Sequence, residues 1–279
     1  MSDAPEPTAE LTDSTAPAEP TASVSYRSYL ALDEVLGAQR PRSEEHDEVL
    51  FIVIHQVYEL WFKQLLHESA RAQRKLEAHN APQAMHTMRR MRAILKTIVS
   101  QLDVLETLTP VQYSGFRGRL DAASGFQSAQ FRELEAAFGR RDRGVLGHYC
   151  TDSDEHTRIA AAIARPGLFD SFLAYLDGDG WQVPAESLHR DLTAPLTPSP
   201  ELQDVLAEVY ARDGDAAQVC EGLVDLDEGL QEWRYRHVMM VQRTIGDKVG
   251  TGGSSGAAYL RETLFKPAFP DLWAVRGRL

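Results

Sequence analysis

Apolar residues recur at steps of three and four between positions 215 and 244 and just beyond. They are Val219, Leu223, Leu226, Leu230, Trp233, Val241 and Ile245. That spacing draws one stripe along an α-helix and turns it toward a core. One position in the stripe, His237, is a histidine, within the string WRYRH. A second histidine, His55, interrupts an apolar run that begins LFIVI on another helical stretch. Two core-facing histidines on two long helices fit a cofactor held between helices. Each also fits a buried imidazole satisfied by an ordinary hydrogen bond.

The same periodicity predicts helices over residues 45–79 and 82–108. Asp47 and Glu48 sit where acids suit the start of the first helix dipole. Met85, Met88, Met91, Leu95, Ile98, Leu102 and Leu105 form the stripe of the second. Thr109, Pro110 and Gln112 spell an N-cap, a first-turn proline and a capping box, so a short new helix begins there. It carries Tyr113 and Arg117 one turn apart on one face. A break at Ser124 and Gly125 precedes a helix that runs to Gly139. Further helices are expected over 154–164, 168–176, from Pro200 behind a Ser199 cap, 215–244 and 255–264. Residues 177–200 read as loop. Residues 24–32 form a short, aromatic segment with Tyr26, Tyr29 and Leu30. Residues 1–23 are rich in Pro, Ala, Thr, Ser and acids without periodicity, which predicts a disordered tail. No strand alternation or internal repeat is evident. The expected architecture is all-α: one helical domain over residues 24–279, a bundle with long antiparallel members.

Charge narrows the function. The 279 residues carry 29 Lys and Arg against 41 Asp and Glu, a net of −12. That balance disfavours sequence-independent nucleic-acid binding and anionic membrane surfaces, and it favours a small-molecule ligand. The two cysteines, Cys150 and Cys220, form no CxxC or CxxCH, so neither a covalent haem attachment nor a zinc-finger spacing is present. They supply no disulfide framework, and a cytoplasmic location is expected. No uninterrupted apolar stretch approaches about 18 residues, so no membrane span is expected. The acidic N-terminus lacks the features of a signal peptide.

Three further pieces bear chemistry. The loop DKVGTGGSSG lacks the Lys-Ser/Thr ending of a nucleotide cradle and follows a helix rather than a strand. It reads either as a plain connection or as a place where backbone amides approach an anion, with Thr251 adding a hydroxyl. Arg117 beside Tyr113 is either a solvated face or a bidentate clamp for a carboxylate. His55 lies one turn after Phe51 and one turn before Glu59, a setting that suits a flat aromatic ligand. The other histidines lie in polar contexts. Neither an HExxH motif nor a repeated ExxH pair occurs, so zinc hydrolysis and di-iron chemistry are poorly supported.

Five blocks, in order, carry a resemblance: HQVYELWFKQ from His55, LETLTPVQYSGFR from Leu105, SGFQSAQFR from Ser124, WRYRH from Trp233 and KVGTGGSSG from Lys248. From about Tyr26 to the C-terminus the chain resembles the tryptophan 2,3-dioxygenase family. The resemblance implies a homotetrameric, almost wholly helical protein with non-covalent haem b. It implies insertion of both atoms of dioxygen across the indole C2–C3 bond of L-tryptophan, giving N-formyl-L-kynurenine, the first step of tryptophan catabolism. His237 matches the proximal iron ligand, and His55 the distal histidine that contacts the indole nitrogen. Arg117 matches the partner of the substrate carboxylate, and Thr251 a contact to the substrate's amino-acid end. Phe51, Tyr113, Phe116, Ser124, Gly125, Gly252 and Gly253 match pocket-lining positions. Tyr26, Tyr29 and Leu30 resemble a segment that covers a neighbouring subunit's active site. Leu102 departs from the aromatic residue of some members, and the loop between Asp33 and His55 is slightly short. Two alternatives remain beside this implication. One is a sibling haem enzyme acting on another indole or aromatic amino acid. The other is a haem sensor or carrier without turnover.

Overall fold

The computed structural model describes residues 24–121, 123, 125–250 and 256–279. The tail expected to be disordered lies outside them. The chain divides into two compact units, Met1–Gln39 and Arg40–Leu279. In the first unit the aromatic segment forms two short helices, α1 (Tyr26–Tyr29) and α2 (Leu32–Leu36). Ser25 starts α1 by accepting the Ser28 amide at its side chain, while its own amide donates to the Ser28 hydroxyl at 3.0 Å, a reciprocal cap.

The second unit is built on three long helices: α3 (His46–Glu77), α4 (Ala81–Leu105) and, far along the chain, α11 (Asp215–Ile245). Acids open α3 and Arg74 and Lys75 close it, as the helix dipole favours. Asn80 caps α4 by accepting the Gln83 amide at 3.2 Å. Between α4 and α11 lie α5 (Pro110–Arg117), α6 (Ala129–Ala137), α7 (Asp154–Ala164), α8 (Leu168–Gly178), α9 (Ala185–Leu188) and α10 (Pro200–Arg212). After α11 come α12 (Ala257–Arg261) and α13 (Pro270–Ala274). Among the described residues there is no strand.

The capping box at α5 forms as its sequence specifies: Gln112 donates its amide to the Thr109 hydroxyl, and its side chain accepts the Thr109 amide at 2.9 Å. It also stops α4 at Leu105, short of the expected Leu108, because Thr109 is in extended backbone. The last expected helix is shorter than its pattern, and the stretch expected as loop contains α9.

Helix direction follows from paired contacts. The antiparallel expectation holds for α3 and α4: Gln101 donates to the Ile54 carbonyl at 3.0 Å, while Arg90 pairs with Glu68 at 3.0 Å. Helices α4 and α11 instead run parallel. Met88 lies against Gly222, Leu95 against Gly229, and Arg92 pairs with Asp225 at 2.7 Å, a constant offset in register. A Cβ on Gly229 would sit 3.2 Å from Leu95, so the missing side chain lets the two backbones approach. A parallel pair needs a long crossover, and α5–α10 supply it. Leu65, Leu76, Met91, Leu223 and Leu226 form the centre of the core.

The C-terminal segment is fastened by a buried carboxylate on α11. Asp227 accepts the amides of Ala268 at 2.8 Å and Phe269 at 3.1 Å, and the Trp273 indole N–H at 2.9 Å.

By length and mean hydropathy (1.3), His46–Glu77 and Asp154–Gly178 also pass as membrane-crossing stretches. The second is interrupted at Arg165 and Pro166 between α7 and α8. The first turns Ile54, Tyr58, Phe62 and Leu65 into the core and leaves Val49, Val53 and Leu60 exposed.

Candidate active site

Above the core, α3 and α11 part and a cavity opens between them. It holds about 1470 Å³ of space not filled by atoms, its mouth included. Phe51, His55, Tyr58 and Phe62 line it from α3; Trp233, His237, Val241 and Ile245 line it from α11. Leu102 and Leu105 from α4, Tyr113 from α5 and Gly125, Phe126 and Phe131 from the α6 side complete most of the wall. Leu260 and Thr263, in and just after α12, close it from the C-terminal side.

The two histidines face this space in different states of partnership. His55 Nδ1 lies 2.7 Å from the Phe51 carbonyl. A carbonyl only accepts, so Nδ1 carries the proton and Nε2 of the neutral ring is left with a lone pair. Burial lowers the His55 pKa, opposed by the Phe51 hydrogen bond and by the charge of Glu59. The ring is therefore a neutral acceptor at physiological pH. Its centroid lies 4.1 Å from that of Phe51. Rings of Phe51, Tyr113 and Phe116 meet at 5.4–5.8 Å, a hydrophobic side wall.

His237 stacks on Trp233 with centroids 5.0 Å apart. Burial, with the positive charge of Arg132 adding to it, pushes its pKa down to about 4. Neither ring nitrogen hydrogen-bonds to a described residue. The result is a neutral imidazole with an uncommitted lone pair in a largely apolar cavity. On the same wall, Trp233 Nε1 and Arg234 Nη1 are buried donors without an acceptor. Such orphaned groups call for an occupant or ordered water. Among the described residues, no three His, Cys, Asp or Glu side chains cluster as a metal site. A metal held by His237 would draw its other ligands from an organic group. The uncommitted imidazole nitrogen and the largely apolar wall together fit a haem.

The family model for tryptophan 2,3-dioxygenase matches residues 12–160 and 203–279. A tryptophan 2,3-dioxygenase of Anaeromyxobacter sp. (strain K) is 61% identical over 269 residues, covering 95% of this chain and all of the relative. One from Herpetosiphon aurantiacus is 54% identical over 92% of this chain and 98% of the relative. One from Caulobacter vibrioides is 42% identical over the same two shares. The chain belongs to the tryptophan 2,3-dioxygenase family.

Within this dioxygenase-family fold, the residues singled out in the sequence differ in where they fall. Phe51, His55, Tyr113, Gly125 and His237 meet around the one cavity. Phe116 is fully buried behind Phe51 and Tyr113 and supports the wall from outside it. Arg117, in the last turn of α5, reaches the glycine-rich segment and donates to the Val249 carbonyl; its Nε is buried without an acceptor. Ser124, Thr251, Gly252 and Gly253 lie outside the described residues, although Gly250 and Gly256 on either side of the loop line the cavity. Tyr26, Tyr29 and Leu30 are exposed within their own unit, the tyrosines at 77%.

Sequence reasoning missed a charged cluster on the α6–α11 wall. Arg132 and Arg234 each donate to Glu135 at 2.7 Å, and all three line the cavity. Arg132 and Arg234 lie inside the recognised blocks, but Glu135 on an amphipathic helix carries no local sign that it is buried.

Proposed function

We propose that this chain cleaves the indole C2–C3 bond of L-tryptophan with dioxygen and releases N-formyl-L-kynurenine. The observation that carries the reading is the pair of neutral imidazoles, one with an uncommitted nitrogen and one locked as an acceptor, facing a single large cavity in a chain of this family. The prosthetic group in this reading would be haem b, bound without covalent attachment and held by the uncommitted imidazole of His237. When bound, the haem supplies the dioxygen chemistry. The chain's own residues do the positioning. His55 Nε2 accepts the indole N–H, because Nδ1 is committed to the Phe51 carbonyl. Phe51 and Tyr113 pack the ring and keep water from it. Arg117, whose Nε is a buried donor without a protein acceptor, pairs with the substrate carboxylate, and Thr251 meets the amino-acid end. A substrate held at both ends cannot slide, which confines its reacting bond.

The assembly in this reading is a homotetramer in which residues around Tyr26, Tyr29 and Leu30 cover a neighbour's site. Their exposure supports it, as does the exposed apolar stripe of Val49, Val53 and Leu60 on α3. A cytoplasmic location accords with two free cysteines.

Incubation with tryptophan, ascorbate and isotopically labelled dioxygen, followed by mass spectrometry, tests the function. The expected product is tryptophan plus two oxygen atoms, both labelled. A product with one added oxygen would favour the sibling oxygenase. Bound haem without turnover of any indole would favour a sensor.

A further inference from the structure

Of the two cavity histidines, only His55 has its ring plane fixed by a hydrogen bond, between Nδ1 and the Phe51 carbonyl at 2.7 Å. A histidine that ligates a metal ordinarily gains the same constraint by donating its second ring N–H to a carboxylate, a carbonyl or water. His237 has no such protein partner among the described residues. Glu135 and Glu59, which line its cavity, are committed elsewhere. Glu135 accepts from Arg132 and Arg234 at 2.7 Å each, and Glu59 accepts from Gln130 at 2.8 Å. The imidazole torsion about Cβ–Cγ is broad and roughly two-fold, so an unbonded ring needs another restraint. Trp233, one helical turn earlier on α11, supplies a flat one. Its ring lies 18° from parallel to that of His237, with centroids 5.0 Å apart. Trp233 is itself held by Phe131 of α6, at 4.7 Å between centroids, and by Phe62 of α3, edge to face at 6.2 Å. Keeping an indole here leaves its Nε1 buried without an acceptor, a cost that an aliphatic side chain on the same wall would avoid.

We propose that Trp233 is a positioning residue for His237: its indole face, in place of a hydrogen bond at the second ring nitrogen, sets the plane in which the imidazole meets the cavity. The proposal rests on the reading of His237 as the residue that holds the haem. A hydrogen bond to an acceptor would raise the basicity of the ligand nitrogen as well as fix the ring. Stacking fixes the ring alone, so the ligand stays a neutral imidazole. The run of rings from Phe131 through Trp233 to His237 also joins α6 to α11 at the cavity wall. The imidazole plane is thereby tied to helix packing rather than to a polar network.

Resonance Raman spectra of the ferrous, haem-loaded full chain provide the test, through the iron–histidine stretching band, which reports the setting of the imidazole. The parent should give one narrow band. Trp233→Leu should broaden or split it, because the imidazole then takes several planes. Release of haem from that variant should be about two- to tenfold faster than from the parent, the scale of one aromatic pair. Trp233→Phe keeps a flat face and removes the indole N–H, and it should retain the narrow band and most of the haem affinity. If Trp233→Leu does not fold, Trp233→Met, unbranched and more adaptable, takes its place. A band unchanged in the aliphatic variant overturns the proposal. So does a broadened band in Trp233→Phe, since the N–H rather than the ring face would then be the restraint. Both results leave the haem reading standing. A parent that takes up no haem, or a His237→Ala variant that keeps the parent's band, overturns that reading and the proposal with it.

Discussion

The two halves of the α11 stripe share a spacing and differ in fate. In the first half, Val219, Leu223, Leu226 and Leu230 are buried against α4, where Gly222 and Gly229 bring the backbones close. In the second half, Trp233, His237, Val241 and Ile245 continue the same stripe but line the cavity. One half is core and the other is the wall of a site. Periodicity alone reports that a face is covered; it does not report whether protein or ligand covers it. The difference lies in what interrupts the apolar run: nothing in the first half, an unpaired imidazole and an orphaned indole N–H in the second.

That contrast is sharpest when one residue is removed from each half. His237→Ala should abolish the Soret band and turnover while leaving the helical circular dichroism in place. Leu226→Ala, one half away on the same helix, should cost about 2–5 kcal/mol of unfolding free energy by opening a core cavity. It should still bind haem at temperatures where it remains folded. Comparable loss of fold in both variants, or haem retained by His237→Ala, would erase the distinction.

Arg117 contacts the glycine-rich segment that borders the cavity, and Arg117→Ala should cost about 2–4 kcal/mol in kcat/KM for tryptophan, the scale of a lost charge-assisted pair. Tryptamine, which lacks the carboxylate, should be affected much less. Equal losses for the two would remove Arg117 from carboxylate recognition.

A smaller effect is expected at His55. One oriented hydrogen bond is worth about 1–3 kcal/mol, so His55→Ala should retain haem and lose roughly 10- to 100-fold in turnover. It should also tolerate 1-methyltryptophan better than the parent. Complete inactivity with haem intact would make the imidazole chemically essential rather than orienting.

Much of this was legible before any coordinates. Thr109, Pro110 and Gln112, and Ser199 with Pro200, mark helix starts through chemistry that acts within four residues, and those starts are where the sequence places them. The histidines were legible as breaks in an apolar stripe. What escaped had no local signal. The parallel direction of α4 and α11 depends on contacts more than a hundred residues apart. Helix α9 is a single turn without periodicity. The burial of Glu135 requires Arg132 from one turn away and Arg234 from another helix, and an acid on a helix reads by default as solvated.

The weakest expected effect is on stability against pH. His237 is held at about 4, below the 6.5 of a free imidazole. The unfolded chain therefore binds more protons below 6.5, so the haem-free protein should lose stability as pH falls from 6.5 toward 4, with this contribution levelling off beneath that. His237→Leu should flatten that part of the profile in chemical denaturation measured across the same range. An unchanged slope would place the imidazole in a more solvated setting than the cavity wall.

The buried Asp227 has a consequence for the order in which the pocket closes. It fastens Ala268, Phe269 and Trp273, and so the stretch of chain that follows Leu260 and Thr263. The cavity thus draws one wall from α3 and another from residues far later in the chain. A molecule that has packed α3 against α4 and α11 but has not docked this later segment still has an open-sided pocket. A hydrophobic prosthetic group is enclosed only once that segment is pinned to Asp227.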